Sequence, residues 1–346
     1  MNILIIGLGS IGQRHLRNIK QAYPTVNFFA LKRVKKSPAL NSQNKIINRD
    51  LIAYYKIKII DNLKVVLTKK IKIDMVFICG PSSHHCDQII LFAKMGIYTF
   101  VEKPICINKK QLKKLKFFFK KPNIKRNVMV GFQNKFNPII KFLKNEIKKR
   151  YKDIIRVNFF NGESIVKFHE YENYKVSYAA KKKLGGGAIL TQKIHELDKM
   201  QFLFEGAKFN KLVSYSNKIS NLKVDTEDLS ISLYNIRKKN FQFLSKIDVN
   251  IFQQPKKNYI EIIFKNETLK ADLTSNVVYI YNNKTIKKKK FNFKRNDVFV
   301  SEIKYAINCA KKGQIFQKRY SIQNSFLSHT LAIDLIERYH YEKKKN

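Results

Sequence analysis

Acid is what this sequence has little of: 25 Asp plus Glu stand against 69 Lys plus Arg, a formal net charge of +44 over 346 residues. Arginine is scarce within that excess, 11 against 58 lysines, and alanine (13) and glycine (12) are few while asparagine reaches 32. Nucleic-acid sites lean on Arg for bidentate contacts to bases and phosphates. A lysine excess spread along the chain, down to Lys287 to Lys290 and Lys343 to Lys345, argues instead for a solvated surface shaped by AT-rich coding. No apolar run approaches the ~20 residues that span a bilayer. The four cysteines (Cys79, Cys86, Cys106, Cys309) show no CxxC spacing, so neither a disulfide nor a metal site is expected. Met1 to Gly7 lacks the layout of a signal peptide, and 44% hydrophobic residues exclude a disordered chain. The expectation is a soluble, cytoplasmic protein long enough for two domains.

Scarce glycine makes its placement informative. Six of the 12 fall in two clusters, Gly7, Gly9, Gly12 and Gly185, Gly186, Gly187. The apolar run Ile3 to Ile6 reads as a parallel strand buried on both faces. It feeds Gly7-Leu8-Gly9-Ser10-Ile11-Gly12 and then helix-compatible residues to Lys20, a GxGxxG in the strand-to-helix context that dinucleotide binding requires. In that role Gly7 permits the tight turn, Gly9 lets the backbone approach the pyrophosphate, Ser10 and Ile11 open the helix N-terminus that holds it, and Gly12 lets helix and sheet pack. An NAD site wants an acid about 20 residues past the last glycine. This chain has Lys32 and Arg33 there and no acid between Tyr23 and Asn48, which favours NADP over NAD.

Strand and helix patterns alternate from there. Asp74 to Cys79 ends at Gly80-Pro81-Ser82-Ser83, a helix follows from His85 to Met95, and Tyr98 to Val101 ends at Glu102-Lys103-Pro104. Lys109 to Lys120 repeats apolar positions with a helical period, and Val128 to Val130 gives one more strand. This predicts a doubly wound parallel sheet over 1–122. The later half changes character, with short alternating runs near 209–217, 227–236, 241–250, 258–264 and 277–281, a turn at Asn282-Asn283, and helical stretches at Val298 to Ala310 and Ser321 to Tyr339. It predicts an α+β domain over 123–346 with an open, mostly antiparallel sheet and helices on one face.

Several motifs now stand in order: Gly7 to Gly12 with Arg14-His15, Gly80 to His85, Glu102-Lys103-Pro104, Gly131 to Pro138, and Gly185 to Gly187 followed by His195 and Asp198. Together they resemble the glucose-fructose oxidoreductase/inositol dehydrogenase family of nicotinamide-dependent sugar oxidoreductases over nearly the whole chain. His169 to Tyr174, with Tyr178 and the triple glycine, resembles members associated with bacterial surface-sugar synthesis. The resemblance implies a Rossmann domain, a homodimer or homotetramer, and a sugar or nucleotide-sugar substrate. It implies that Pro81, Ser82, His85 and Glu102 lie along the cofactor and that Lys103 touches both nicotinamide ribose and substrate. It makes His195 the catalytic histidine, with Asn134, Tyr171, Glu172, Tyr174, Thr191, Lys193 and Asp198 as substrate-side residues. The chain departs from the family at Thr191, where many members carry Asp, and at Lys193 for Gly, Lys135 for Arg and Gly80-Pro81 for Thr-Pro.

The chemistry supports the same pair. Hydride transfer to or from a carbinol also moves the hydroxyl proton, which a histidine near neutral pKa can carry. A lysine shares the role when burial or a cationic ring lowers its pKa. Thr191 sits one helical turn before His195 and shares its face, but a hydroxyl supplies no charge. His195-Glu196-Leu197-Asp198 is not a zinc HExxH, because position 199 is Lys. Two other readings remain: a cofactor-binding regulator that lacks catalysis, kept alive by Thr191, and a nucleic-acid binder, disfavoured by the arginine count.

Overall fold

The computed structural model describes residues 1–31, 38–68, 70–122, 124, 127–168 and 171–345, without the side chains of 342–345. Lys32 and Arg33 lie outside the described residues. The chain divides into two compact units.

The first unit is built on β1 (Asn2–Ile6), α1 (Ser10–Ala22), β2 (Asn27–Leu31), a short hairpin β3 (Ala39–Leu40) and β4 (Ile46–Ile47), α2 (Leu51–Tyr55), β5 (Lys58–Ile60), α3 (Lys64–Leu67), β6 (Met75–Ile78), α4 (His85–Lys94), β7 (Tyr98–Glu102), α5 (Lys109–Phe118) and β8 (Val128–Gly131). Six strands form a parallel sheet in the order β5-β2-β1-β6-β7-β8. The apolar runs are strands because both faces are covered: Ile3, Leu4, Met75, Val76, Phe77 and Ile78 are all 0% exposed. Helix ends follow the local sequence. Asn108 caps α5 by accepting the Gln111 N–H at 2.9 Å, and Gly96 takes φ +71° just past α4. Strand order reverses between β1 and β6, the point at which open α/β sheets bind ligands beyond the strand C-termini.

The parallel sheet extends past the boundary expected at residue 122. β8 pairs with β7, Val101 opposite Val130, so the unit runs to Gln133. It also takes in Asn296–Phe326 from the segment expected wholly in the second domain. Specific contacts explain that return: Asn18 and Asn296 exchange side-chain amide hydrogen bonds of 3.2 and 2.9 Å, Tyr98 meets Phe316 edge-on, and the backbone of Ser321 forms an antiparallel bridge with that of Met129.

The second unit contains α6 (Pro138–Arg150), β9 (Ile154–Gly162), α7 (Ile194–Leu203), β10 (Lys208–Asn217), β11 (Leu229–Lys238), β12 (Phe241–Asn250), β13 (Lys257–Phe264), β14 (Thr268–Asp272), β15 (Val277–Tyr281) and β16 (Ile286–Lys290). Two last helices, α8 (Arg295–Lys311) and α9 (Ile322–Lys345), have residues in both units. The eight strands lie in the order β10-β11-β12-β9-β13-β14-β15-β16, antiparallel except for the β12–β9 pair. β11 shows how the pattern sets the faces: Ser230, Ser232, Tyr234 and Ile236 are buried while Leu229, Ile231, Leu233 and Asn235 are half-buried. Strands β10 to β13 and β15 lie close to their expected places. β9, β14 and β16 carry weaker signals, and Lys287 to Lys290 in particular reads as a charge run. Pairing with β15 makes it a strand, Tyr279 opposite Lys288, and every residue of β16 is exposed. Lysines on such an edge discourage pairing with another chain. The Asn282 side chain fixes the expected turn by accepting the Lys284 and Thr285 N–H groups.

No helix among the described residues is long and apolar enough to cross a membrane. The sheet core of the first unit rests on Phe77, stacked 4.9 Å from Phe100. Phe77→Ala is expected to cost about 3–5 kcal/mol, read as a lowered midpoint in urea unfolding with little change in slope.

Candidate active site

Each unit contributes its own group of site residues. In the first, the backbone of the fingerprint is packed so closely that side chains are excluded. A Cβ on Gly12 would lie 1.9 Å from the Gly7 carbonyl oxygen, and one on Gly7 (φ +100°) would lie 2.5 Å from the backbone of Cys79 and Gly80. Gly9 differs: a Cβ there meets nothing within 4 Å. The open space lies beside the N-terminus of α1, where Ser10 and Ile11 begin the helix and no side chain of its own caps it. That is a cradle for a phosphate group that needs close backbone approach, so these residues fit a dinucleotide. Gln13, which the motif does not include, fixes the cradle from behind. Its Nε2 donates to the Leu8 and Pro38 carbonyls at 3.0 and 2.8 Å, and its Oε1 accepts the Leu40 N–H at 2.8 Å.

The strand ends beside the cradle are joined by two buried histidines. His15 of α1 donates from Nε2 to Glu102 Oε1 at 2.7 Å, tying the fingerprint helix to the Glu102-Lys103-Pro104 corner. His85 was expected along the cofactor. It is 1% exposed, with Nδ1 2.7 Å from the Pro104 carbonyl and Nε2 2.9 Å from the Gly80 carbonyl. Both ring nitrogens therefore face backbone rather than ligand, and His85 braces the ends of β6 and β7 against each other. Carbonyls only accept, so a neutral ring satisfies one contact and a protonated ring both. Burial pushes the His85 pKa down, while the Pro104 and Gly80 carbonyls and the Glu102 carboxylate push it back up.

Lys103 stands out by exposure. From Thr99 to Cys106 it is the single residue that is not buried. Pro81 is exposed and Ser82 buried. Tyr171, expected on the substrate side, belongs to this unit: its hydroxyl hydrogen-bonds the Ser10 backbone and side chain at the helix start. Burial, with a smaller push from Glu172, raises its pKa to about 12. Glu172 is half-buried beside it.

In the second unit, the glycine triplet leads into a π-helical stretch Ile189–Lys193 continuous with α7. From Gly185 to Met200 every residue is buried except His195. Thr191 is 5% exposed, and its Oγ1 donates to the Gly187 carbonyl at 2.6 Å. Lys193 was expected at the substrate. It is 0% exposed, and its Nζ donates to Ser230 Oγ at 3.0 Å and the Ile247 carbonyl at 3.4 Å. Two residues before His195 on a helix, it faces the sheet, and burial holds its pKa well below the usual lysine range. Asp198 is likewise internal, 1% exposed and 2.8 Å from Lys135 Nζ. The Lys135 that replaces the family arginine thus keeps an ion pair. A second buried pair joins Lys199 Nζ to Glu196 Oε2 at 2.6 Å, and Asn161 donates to both Glu196 and Gln192 at 2.9 Å. Burial raises the pKa of both Glu196 and Asp198. Asn134 is half-buried, and Tyr174 accepts the Lys223 N–H through its hydroxyl at 3.3 Å.

A parallel sheet with a glycine cradle at its switch point, followed by an α+β unit, defines the class: a dinucleotide-binding fold joined to a second, mostly antiparallel unit. Residues 1–132 match the family described as "Oxidoreductase family, NAD-binding Rossmann fold", the part of the chain that carries the glycine cradle. It is 28% identical over 142 residues to a trans-1,2-dihydrobenzene-1,2-diol dehydrogenase from Xenopus tropicalis, 41% of this chain and 40% of that protein, so the match spans about two fifths of the curated relative. Solved structures share the fold over the full length. A myo-inositol dehydrogenase from Corynebacterium glutamicum has a TM-score of 0.72 at 18% identity, covering 99% of this chain and 97% of its own. The WlbA dehydrogenase from Bordetella pertussis, in complex with NADH and UDP-GlcNAcA, has a TM-score of 0.73 at 18% identity, covering 97% and 95%.

Gly9 and Gly12 give opposite expectations. Gly12→Ala should lower stability by roughly 2–4 kcal/mol, because backbone is in the way. Gly9→Ala should leave the unfolding curve unchanged and weaken NADH binding by about tenfold or more, since the methyl group enters only the ligand's space. Fluorescence titration of NADH with each variant, beside thermal melts, checks both.

Proposed function

We propose that this is a cytoplasmic NAD(P)-dependent oxidoreductase that transfers a hydride between a nicotinamide cofactor and a sugar or nucleotide-sugar carbinol or ketone, in the making of surface-glycan sugars. The observation that carries the reading is the pair of emergent side chains. Lys103 and His195 each break a long buried stretch, and each has the chemistry to move a hydroxyl proton. Support for the substrate class comes from fold relatives, one of them bound to NADH and UDP-GlcNAcA, another a UDP-N-acetylglucosamine 3-dehydrogenase from Acidithiobacillus ferrooxidans.

When bound, the cofactor supplies or accepts the hydride. Gly9, Ser10 and Ile11 would hold its pyrophosphate, with Pro81 and Ser82 along its length. Lys103, kept in place by the His15–Glu102 and His85–Pro104 contacts, would orient the substrate hydroxyl and share its proton. His195 would take that proton during oxidation and return it during reduction. Thr191, one turn before it, offers a hydroxyl and no charge. Lys32 and Arg33, with no acid nearby in sequence, favour NADP over NAD. A homodimer or homotetramer is part of the proposal, supported by Val213, Tyr215 and Leu244 exposed at 55%, 49% and 41% on the second sheet.

Absorbance at the reduced-nicotinamide band, followed with purified protein and a panel of nucleotide sugars, tests the activity. Lys103→Ala is expected to lose turnover by about 10²-fold or more while still binding cofactor; unchanged turnover would remove Lys103 from the chemistry. Arg33→Ala should weaken NADPH and leave NADH unaffected, and equal losses for both would favour NAD. A second reading, a cofactor-binding regulator, is favoured by Thr191, whose hydroxyl is engaged with the Gly187 carbonyl. Tight NADPH binding with no turnover on any sugar would select it.

A further inference from the structure

The glycine triplet ends in a cradle for a carboxylate brought from a distant segment. Gly187 has φ +96°, and a Cβ there would lie 2.4 Å from Glu227 Oε1. Glu227 is 3% exposed, and the same Oε1 accepts the Ile189 N–H at 2.8 Å. Its main-chain carbonyl accepts the Ala188 N–H at 3.1 Å. No side chain of the neighbouring sequence caps this helical start, so Glu227 satisfies two of its orphan amides from across the fold. The segment it anchors leads to His195, the one residue of 185–200 that is not buried. An anion at a helix N-terminus is favourable, yet burying one without full compensation costs free energy.

We propose that Glu227 is a positioning residue: its carboxylate fixes the start of the helical segment that carries His195, and protonation of that carboxylate loosens the anchor. Why the position of His195 matters rests on the oxidoreductase reading above. The anchor itself rests on geometry. Groups around the carboxyl set where it titrates. Burial raises its pKa to about 7, Asp228 on its own segment adds to the rise, and the Ile189 amide and Lys193 on the helix oppose it. Tyr339 of α9 lies within electrostatic reach of Glu227, Asp228 and Asp225, whose charges raise its pKa after burial. A carboxyl whose folded pKa is raised binds a proton in the folded state that it has lost in the unfolded chain. Its contribution to stability is therefore present at acid pH and is lost as pH rises from about 4.5 to about 7.

The His195 ring signal, followed by NMR from pH 5 to 9 in wild type and Glu227→Gln and assigned with His195→Asn, tests the proposal. Wild type should show a second inflection near pH 7, and Glu227→Gln should lose it. In thermal melts Glu227→Gln should match wild type near pH 5 and exceed it by about 3 °C or more at pH 8. Identical His195 curves in the two proteins, or melting curves that run parallel across pH, would overturn it. Should the variant fail to fold, a wild-type His195 signal with a single inflection overturns it equally. Absence of turnover on every sugar would sink the oxidoreductase reading and leave both of these readouts standing.

Discussion

Backbone meeting backbone at the end of β1 is the constraint on which the first unit depends. The Gly7 carbonyl occupies the space a Gly12 side chain would need, and Gly7 itself lies against the Cys79–Gly80 peptide. That contact brings the ends of β1 and β6 together with the start of α1. Two buried histidines extend it: His15 reaches Glu102, and His85 grips the carbonyls of Gly80 and Pro104. Lys103 is thereby carried on a corner whose neighbours on both sides are internal.

The second unit solves the same problem with charge. His195 sits on a segment that is otherwise buried, and a buried segment bearing Lys193, Glu196, Asp198 and Lys199 is costly unless each charge is matched. Lys135 answers Asp198, Lys199 answers Glu196, and the serine-lined face of β11 receives Lys193. Of the 69 lysines and arginines, few are buried among the described residues: Lys135, Lys193 and Lys199. Those few are held at hydrogen-bond distance from an acid, a hydroxyl or a carbonyl.

Much of this was legible in the sequence, for identifiable reasons. Buried parallel strands leave unbroken apolar runs, glycine was rare enough for its clusters to stand out, and Asn108, Gly96 and Asn282 mark helix and turn boundaries by local chemistry. What escaped were pairings between distant segments. Nothing near β16 announces a strand, because four lysines become one only when Tyr279 and its neighbours offer a ladder. His15, Gln13 and Glu227 act through partners far along the chain. The family resemblance puts Lys193, Asp198 and Tyr171 on the substrate side, and a motif match carries no information on where a side chain turns. Helical phase turns Lys193 to the sheet, an ion pair takes Asp198 inward, and Tyr171 reaches Ser10 instead. The domain boundary moved for a similar reason, since β8 completes a sheet whose other strands lie earlier.

Gly9 offers one consequence of a different kind. Its backbone angles, φ −75° and ψ −170°, are open to any amino acid, and nothing in the chain crowds its Cβ position. In a chain with 12 glycines and 58 lysines, folding alone gives no reason to keep glycine at this position. Every other fingerprint glycine is guarded by the protein's own need to fold. Gly9 is guarded only by what comes from outside, so it is the position at which a ligand's demand on the sequence is separable from the fold's own.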